Sequence, residues 1–148
     1  MNIIKDWIFA IKVCKKYGIK WNPFKKHDCA EFEFTYWYEY KKYESVIKIS
    51  PFYPKFIDSF MHEVGHCLYH RKLYMKSENH KEYEANANYF KLKDEYLAWR
   101  FAKLVLKQRF DKNRARNMFK TYFPSQAKKH GSLITADKYA DFDYRLSK

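Results

Sequence analysis

Residues 62–66 read His62-Glu63-Val64-Gly65-His66, and the apolar positions around them fix the local structure. Ile57, Phe60, Met61, Val64 and Leu68 recur at spacings of three and four, which describes a helix with one buried stripe. Pro54 and Asp58 stand where a helix start is expected. On that helix positions 62 and 66 lie one turn apart and project from the same face, with Glu63 beside them. Two imidazoles at this spacing suit one small metal ion, and a neighbouring carboxylate can take a proton from a water activated there. His62 and His66 are therefore candidate metal ligands and Glu63 a candidate general base.

Two segments ahead of this helix alternate apolar and polar residues in the manner of half-buried strands. They are Glu31-Phe32-Glu33-Phe34-Thr35-Tyr36-Trp37-Tyr38 and Ser45-Val46-Ile47-Lys48-Ile49-Ser50. Tyr40-Lys41-Lys42-Tyr43 would join them into a hairpin, although it lacks the Gly or Asn that tight primed turns prefer. With these features the chain resembles the zincin metallopeptidases, whose zinc-binding helix is matched residue by residue at His62, Glu63 and His66. The resemblance implies that the strand before the helix forms the edge of a small sheet and pairs with extended substrate.

A zinc site needs a third protein ligand and one open position. His70 lies eight residues after His62, about 12 Å along a continuous helix, too far for three imidazoles to share an ion. Cys67 follows His66 about 100° around the helix and should point away from the metal. A second helical stretch is expected from about Asn79 to Arg109, with a possible interruption near Tyr89 to Leu92. Glu84 and Glu95 share a face of it but stand about 16 Å apart, so only one reaches the ion. Ala98, Trp99, Ala102 and Val105 continue the Glu95 face as a buried stripe with small residues, where another helix could cross closely. Ala87, Asn88 and Lys91 continue the Glu84 face as a solvated one. Burial favours Glu95, because a carboxylate on an apolar face needs a cation.

Glu95-Tyr96-Leu97-Ala98-Trp99-Arg100-Phe101-Ala102 also resembles a Glu-x-x-Ala-Trp-(Arg/Lys)-x-Ala signature of small phage-encoded His-Glu-x-x-His proteins, a likeness covering roughly residues 45 to 125. Glu82-Tyr83-Glu84-Ala85-Asn86 instead resembles the small metallopeptidases that cleave phage-type repressors, which would make Glu84 the ligand. A likeness to SprT-like proteases would give that place to His80, with Tyr83 following. Glu84 and His80 thus stay open beside Glu95. For an oxyanion-stabilising group the sequence offers only His80, Tyr96 and Arg100.

With 148 residues, 47% of them hydrophobic, the chain is expected to form a single domain spanning residues 1–148. Three glycines and four prolines argue against long flexible linkers. Ile3, Ile4, Trp7, Ile8, Ile11 and Cys14 form a helical stripe interrupted by Lys5, Asp6 and Lys12, an amphipathic helix and neither a signal peptide nor a membrane span. A cytoplasmic protein is expected, in the host cytoplasm if phage-encoded. Cys14, Cys29 and Cys67 are odd in number and lack Cys-x-x-Cys spacing, which predicts reduced, buried thiols. The net charge is +13, and residues 103–130 hold nine Lys or Arg against Asp111 alone. Such a run could bind nucleic acid weakly and without sequence preference, or simply be a solvated face.

The expected fold is α+β: an N-terminal helix, a small antiparallel sheet, the metal-binding helix, a long second helix and a basic C-terminal helical segment. The expected activity is zinc-dependent hydrolysis of a peptide or protein, with His62, His66 and Glu95 holding zinc. The alternatives are a DNA-associated protease of the SprT type and a non-catalytic binding protein of phage origin that the metal only staples together.

Overall fold

The computed structural model describes residues 2–24, 29–130 and 136–148, with the backbone alone at 123–130 and 136–137. Its order is α1 (Ile3–Tyr17), β1 (Lys20–Asn22), β2 (Ala30–Trp37), β3 (Lys42–Ile49), α2 (Phe56–Lys76), α3 (His80–Tyr89), α4 (Lys91–Leu106), α5 (Lys112–His130) and α6 (Ala136–Ser147). This is an α+β fold. Among the described residues no helix is long and apolar enough to cross a membrane.

Short polar signals bound several helices. The Asn2 side chain accepts from the N–H groups of Ile4 and Lys5 and opens α1, and Gly18, at φ 63, closes it with its N–H on the Cys14 carbonyl. Asn79 caps α3 through the Glu82 N–H, while Glu82 reaches back to the N–H of Glu78. Elsewhere the chain turns without glycine: Lys41, Lys55 and Lys107 take positive φ of 48, 54 and 53°.

The sheet corrects the expected one. It is mixed, ordered β1-β3-β2, because β1 adds parallel to β3 on the side away from the hairpin. The strand preceding the helix, β3, is consequently central, and the hairpin partner β2 is an edge. Phe32 pairs with Ile47 and Phe34 with Ser45 in the antiparallel register. Phe32, Phe34 and Tyr36 face inward while Glu31, Glu33 and Thr35 face solvent, the alternation of a one-sided sheet.

Helix α2 lies between this sheet and α4. Every residue from Phe56 to Cys67 is buried, so its first three turns have no solvent face rather than the single buried stripe expected. The second expected helix is divided: Phe90 separates α3 from α4, its N–H on Asn86 O and its own carbonyl accepting from Asp94 N. The division leaves Glu84 on α3 and frees α4 to cross α2. That crossing is very close at Gly65, where a Cβ would lie 2.7 Å from Ala98 Cα and 2.9 Å from Ala98 O. Of the cysteines, Cys14 and Cys67 are buried but Cys29 is exposed, contrary to expectation. Burial pushes the Cys14 thiol up to about 11.

Gly65→Ala should destabilise the protein by about 1–3 kcal/mol, the usual range for overpacking a core. The contact is with the Ala98 backbone, so adding Ala98→Gly should not restore the loss. Urea denaturation of the two variants checks this, and an unchanged midpoint in Gly65→Ala would show that the helices do not cross at this distance.

Candidate metal centre

His62 and His66 occupy consecutive turns of α2 and face α4. Glu95, from the first turns of α4, meets both: its Oε1 lies 2.9 Å from His62 Nε2 and its Oε2 lies 3.2 Å from His66 Nε2. The two Nε2 atoms are 3.0 Å apart. A tetrahedral zinc with bonds of about 2.0–2.1 Å holds its ligand atoms about 3.3 Å from one another; the two histidine nitrogens stand near that spacing, and with one donor atom from each residue the set lies within 4.8 Å. Among the described residues, these three are the His, Cys, Asp or Glu group arranged to hold a metal ion.

The rings are held from both sides. His66 stacks on Phe32 of β2 at 4.8 Å and 14°, and His62 packs against Trp99 of α4 at 3.9 Å. His66 Nδ1 lies 2.8 Å from Asp94 Oδ1, and His70 Nε2 lies 2.9 Å from Asp94 Oδ2. With Nδ1–H donating to Asp94, His66 would present the lone pair of Nε2 to a metal that displaces its second proton at the point it shares with His62 and Glu95. A carboxylate behind a histidine ligand fixes both its tautomer and its orientation. His70, too distant to ligate, steadies that carboxylate, and its own Nδ1 lies 2.5 Å from the Tyr83 hydroxyl.

The electrostatics follow from burying opposite charges together. Burial alone would lower the pKa of His66, but Asp94 and Glu95 raise it well above the usual range. Burial would likewise raise Glu95 and Asp94, yet the histidines hold both below the ordinary carboxylate range. Glu63 goes the other way: burial first, then Glu95 and Asp94, push it up against the opposing pull of His62 and His66. The point between His62, His66 and Glu95 thus carries a strong demand for positive charge, which a divalent cation would meet. The donor set, one carboxylate and two imidazoles, fits zinc.

A cavity of about 210 Å³ opens beside His62 and Glu95. Ser59, His62 and Glu63 of α2, Glu95 and Trp99 of α4, and Arg114, Met118 and Tyr122 of α5 line it, with Ala30 at the start of edge strand β2. Glu84 and His80 are elsewhere: both are exposed, and both meet the Tyr36 hydroxyl, at 2.8 and 2.7 Å. Tyr96 stacks on Phe142 at 4.3 Å and Arg100 is exposed beside them, so none of the three expected oxyanion donors lines the cavity. Asp94, Arg114 and Tyr122 were not foreseen. Asp94 left a signal, as a second carboxylate next to the expected ligand, whereas Arg114 and Tyr122 belong to no motif. Comparison with models of known protein families, with curated proteins and with solved structures finds no match.

Three substitutions rank the carboxylates. Glu95→Ala should abolish tight zinc binding, Asp94→Asn should weaken it by about 10- to 100-fold through the orientation of His66, and Glu84→Ala should leave it unchanged. Chelator competition measures all three, and a larger loss in Glu84→Ala than in Glu95→Ala would transfer the ligand role to α3.

Proposed function

We propose that the chain is a zinc-dependent peptide hydrolase of the zincin kind. The observation that carries this reading is the convergence of His62 Nε2, His66 Nε2 and the Glu95 carboxylate, with contacts of 2.9–3.2 Å, beside a cavity that His62, Glu63 and Glu95 line. These three residues would hold zinc, which when bound supplies a Lewis acid and brings the pKa of water toward about 7. Glu63 follows His62 directly and projects into the same cavity, where it takes a proton from the attacking water and returns it to the departing amine. The fixed rings of His62 and His66 keep the floor in place while this happens, since neither imidazole can rotate without leaving Trp99 or Phe32.

The opposite wall supplies a donor for the charge that develops on the carbonyl oxygen. The Tyr122 hydroxyl is the candidate: burial, with Glu95 and Asp94 nearby, holds it protonated far above the usual phenol range. Among the described residues the outer edge of β2 has no neighbouring strand, and it begins at Ala30 on the cavity rim, so an extended peptide can add to the sheet there. The substrate is therefore a peptide or protein, and the proposed setting is the cytoplasm.

Nucleic-acid binding finds less support, because the basic segment is partly engaged within the fold. Arg109 pairs with Asp6, Arg116 grips Asp143 with two hydrogen bonds of 3.0 Å, and Arg114 donates to Ser59. The side chains of Lys128, Lys129 and His130 lie outside the described residues.

Purified protein should contain about one zinc per chain by elemental analysis. Glu63→Gln should keep that zinc and lose about 10²–10⁴-fold in turnover of a fluorogenic peptide library. Tyr122→Phe should lower kcat by about 10²-fold with zinc retained. Zinc bound without any turnover in the unaltered protein would replace this reading by that of a metal-stapled binding protein.

A further inference from the structure

Arg114 is the one Lys or Arg among the described residues lining the cavity, and its surroundings leave it incompletely satisfied. It stands on α5 and shares the cavity with His62 and Glu95. Nη2 donates to Ser59 Oγ at 2.8 Å, whereas Nη1 is buried and has no hydrogen-bond partner among the described residues. No ion pair joins the guanidinium to a carboxylate among the described residues. Asp58 feels its charge, but Asp58 Oδ1 is engaged by the Asp111 N–H at 3.0 Å. Glu95, on the same cavity, is taken up by the two histidines. The indole face of Trp99 lies 6.0 Å from the guanidinium carbon and flanks it on the cavity side.

A half-buried guanidinium with a spare donor is costly unless an anion completes it, and its planar fork matches a carboxylate better than any other common peptide group. We propose that Arg114 is a substrate-binding residue that receives a carboxylate of the bound peptide, either its C-terminus or an Asp or Glu side chain. At about 210 Å³ the cavity is smaller than the roughly 300–1,000 Å³ of ordinary ligand pockets, so it admits one or two residues. The carboxylate consequently belongs to a residue beside the bond over the metal floor. This assignment rests on the hydrolase reading and adds its substrate class: peptides that are anionic next to the scissile bond.

The test uses zinc-loaded protein carrying Glu63→Gln, so that binding is read without turnover. Three N-acetylated tripeptides are titrated calorimetrically: one with neutral side chains and a free C-terminus, its C-terminal amide, and an amide bearing one Glu. At least one carboxylate peptide should bind about tenfold or more tightly than the neutral amide, and which one does so identifies the source of the carboxylate. Adding Arg114→Gln should erase the difference with zinc content unchanged, and Arg114→Lys should restore part of it. If Arg114→Gln lowers the thermal midpoint, Arg114→Lys decides, since losing the fork must still reduce the preference severalfold. A preference that persists in both Arg114 variants, as it would if the carboxylate sat on zinc, overturns the assignment. So does equal binding of all three peptides, or binding of none. Failure of the hydrolase reading looks different, as absent zinc or absent turnover whatever residue stands at 114.

Discussion

The close crossing of α2 and α4 at Gly65 and Ala98 is the constraint on which the rest depends. With no side chain at position 65, the Ala98 backbone enters the groove between the turns that carry His62 and His66. One turn before Ala98 on α4 come Asp94 and Glu95, and the next residue after it is Trp99. The crossing thus sets Glu95, the carboxylate behind His66 and the ring beside His62 against α2 at once. A larger residue at 65 would move all three together. Packing and chemistry are inseparable here, because the contact that closes the core is also the one that aligns the donors.

Burying Glu63, Asp94 and Glu95 with three histidines would be prohibitive if the charges were unpaired. The fold avoids this by spacing acceptors and donors alternately from Tyr83 through His70, Asp94 and His66 to Glu95. The aromatic faces of Phe32 and Trp99 exclude water from the sides and limit ring rotation. The floor is therefore rigid, built from two long helices and a strand. The wall opposite is supplied by α5, whose cavity face presents Arg114, Met118 and Tyr122 at helical spacing. On the proposed reading, such a division would place the ion site on the most deeply buried elements and substrate contacts on α5.

What could be read from the chain was whatever depends on one helix at a time. The pentad, its apolar neighbours and the burial of the Glu95 face follow from a period of 3.6 residues, and the alternation in β2 and β3 follows from a period of two. What escaped depends on how elements meet. Nothing local to Lys20-Trp21-Asn22 announces a strand that joins β3 in parallel, so β3 passed for an edge. The turns were hard to see because lysines take the positive-φ positions at 41, 55 and 107 where glycine would normally mark them. Asp94 was adjacent to the expected ligand, yet its role requires knowing which nitrogen of His66 faces it. Arg114 and Tyr122 reach the cavity only because α5 folds back over α2 and α4.

The strongly basic balance also divides once the fold is known, and the division follows side-chain chemistry. Arginines serve as cross-links between elements distant in sequence: Arg109 ties the α4–α5 turn to α1, Arg116 ties α5 to α6, and Arg114 ties α5 to α2. Lys103 donates toward the last carbonyls of α6, at Arg145 and Leu146, where the helix end is electronegative. The fork of arginine can satisfy a fixed partner at two points, while a lysine remains a mobile, well-hydrated point charge. The charge in this segment is accordingly architectural where it is carried by arginine and mostly solvating where it is carried by lysine. Arg114 stands apart among these cross-links because it holds α5 to Ser59 with one nitrogen while another, buried, has no partner among the described residues. A buried donor without a partner carries a desolvation cost, which the proposed carboxylate would offset.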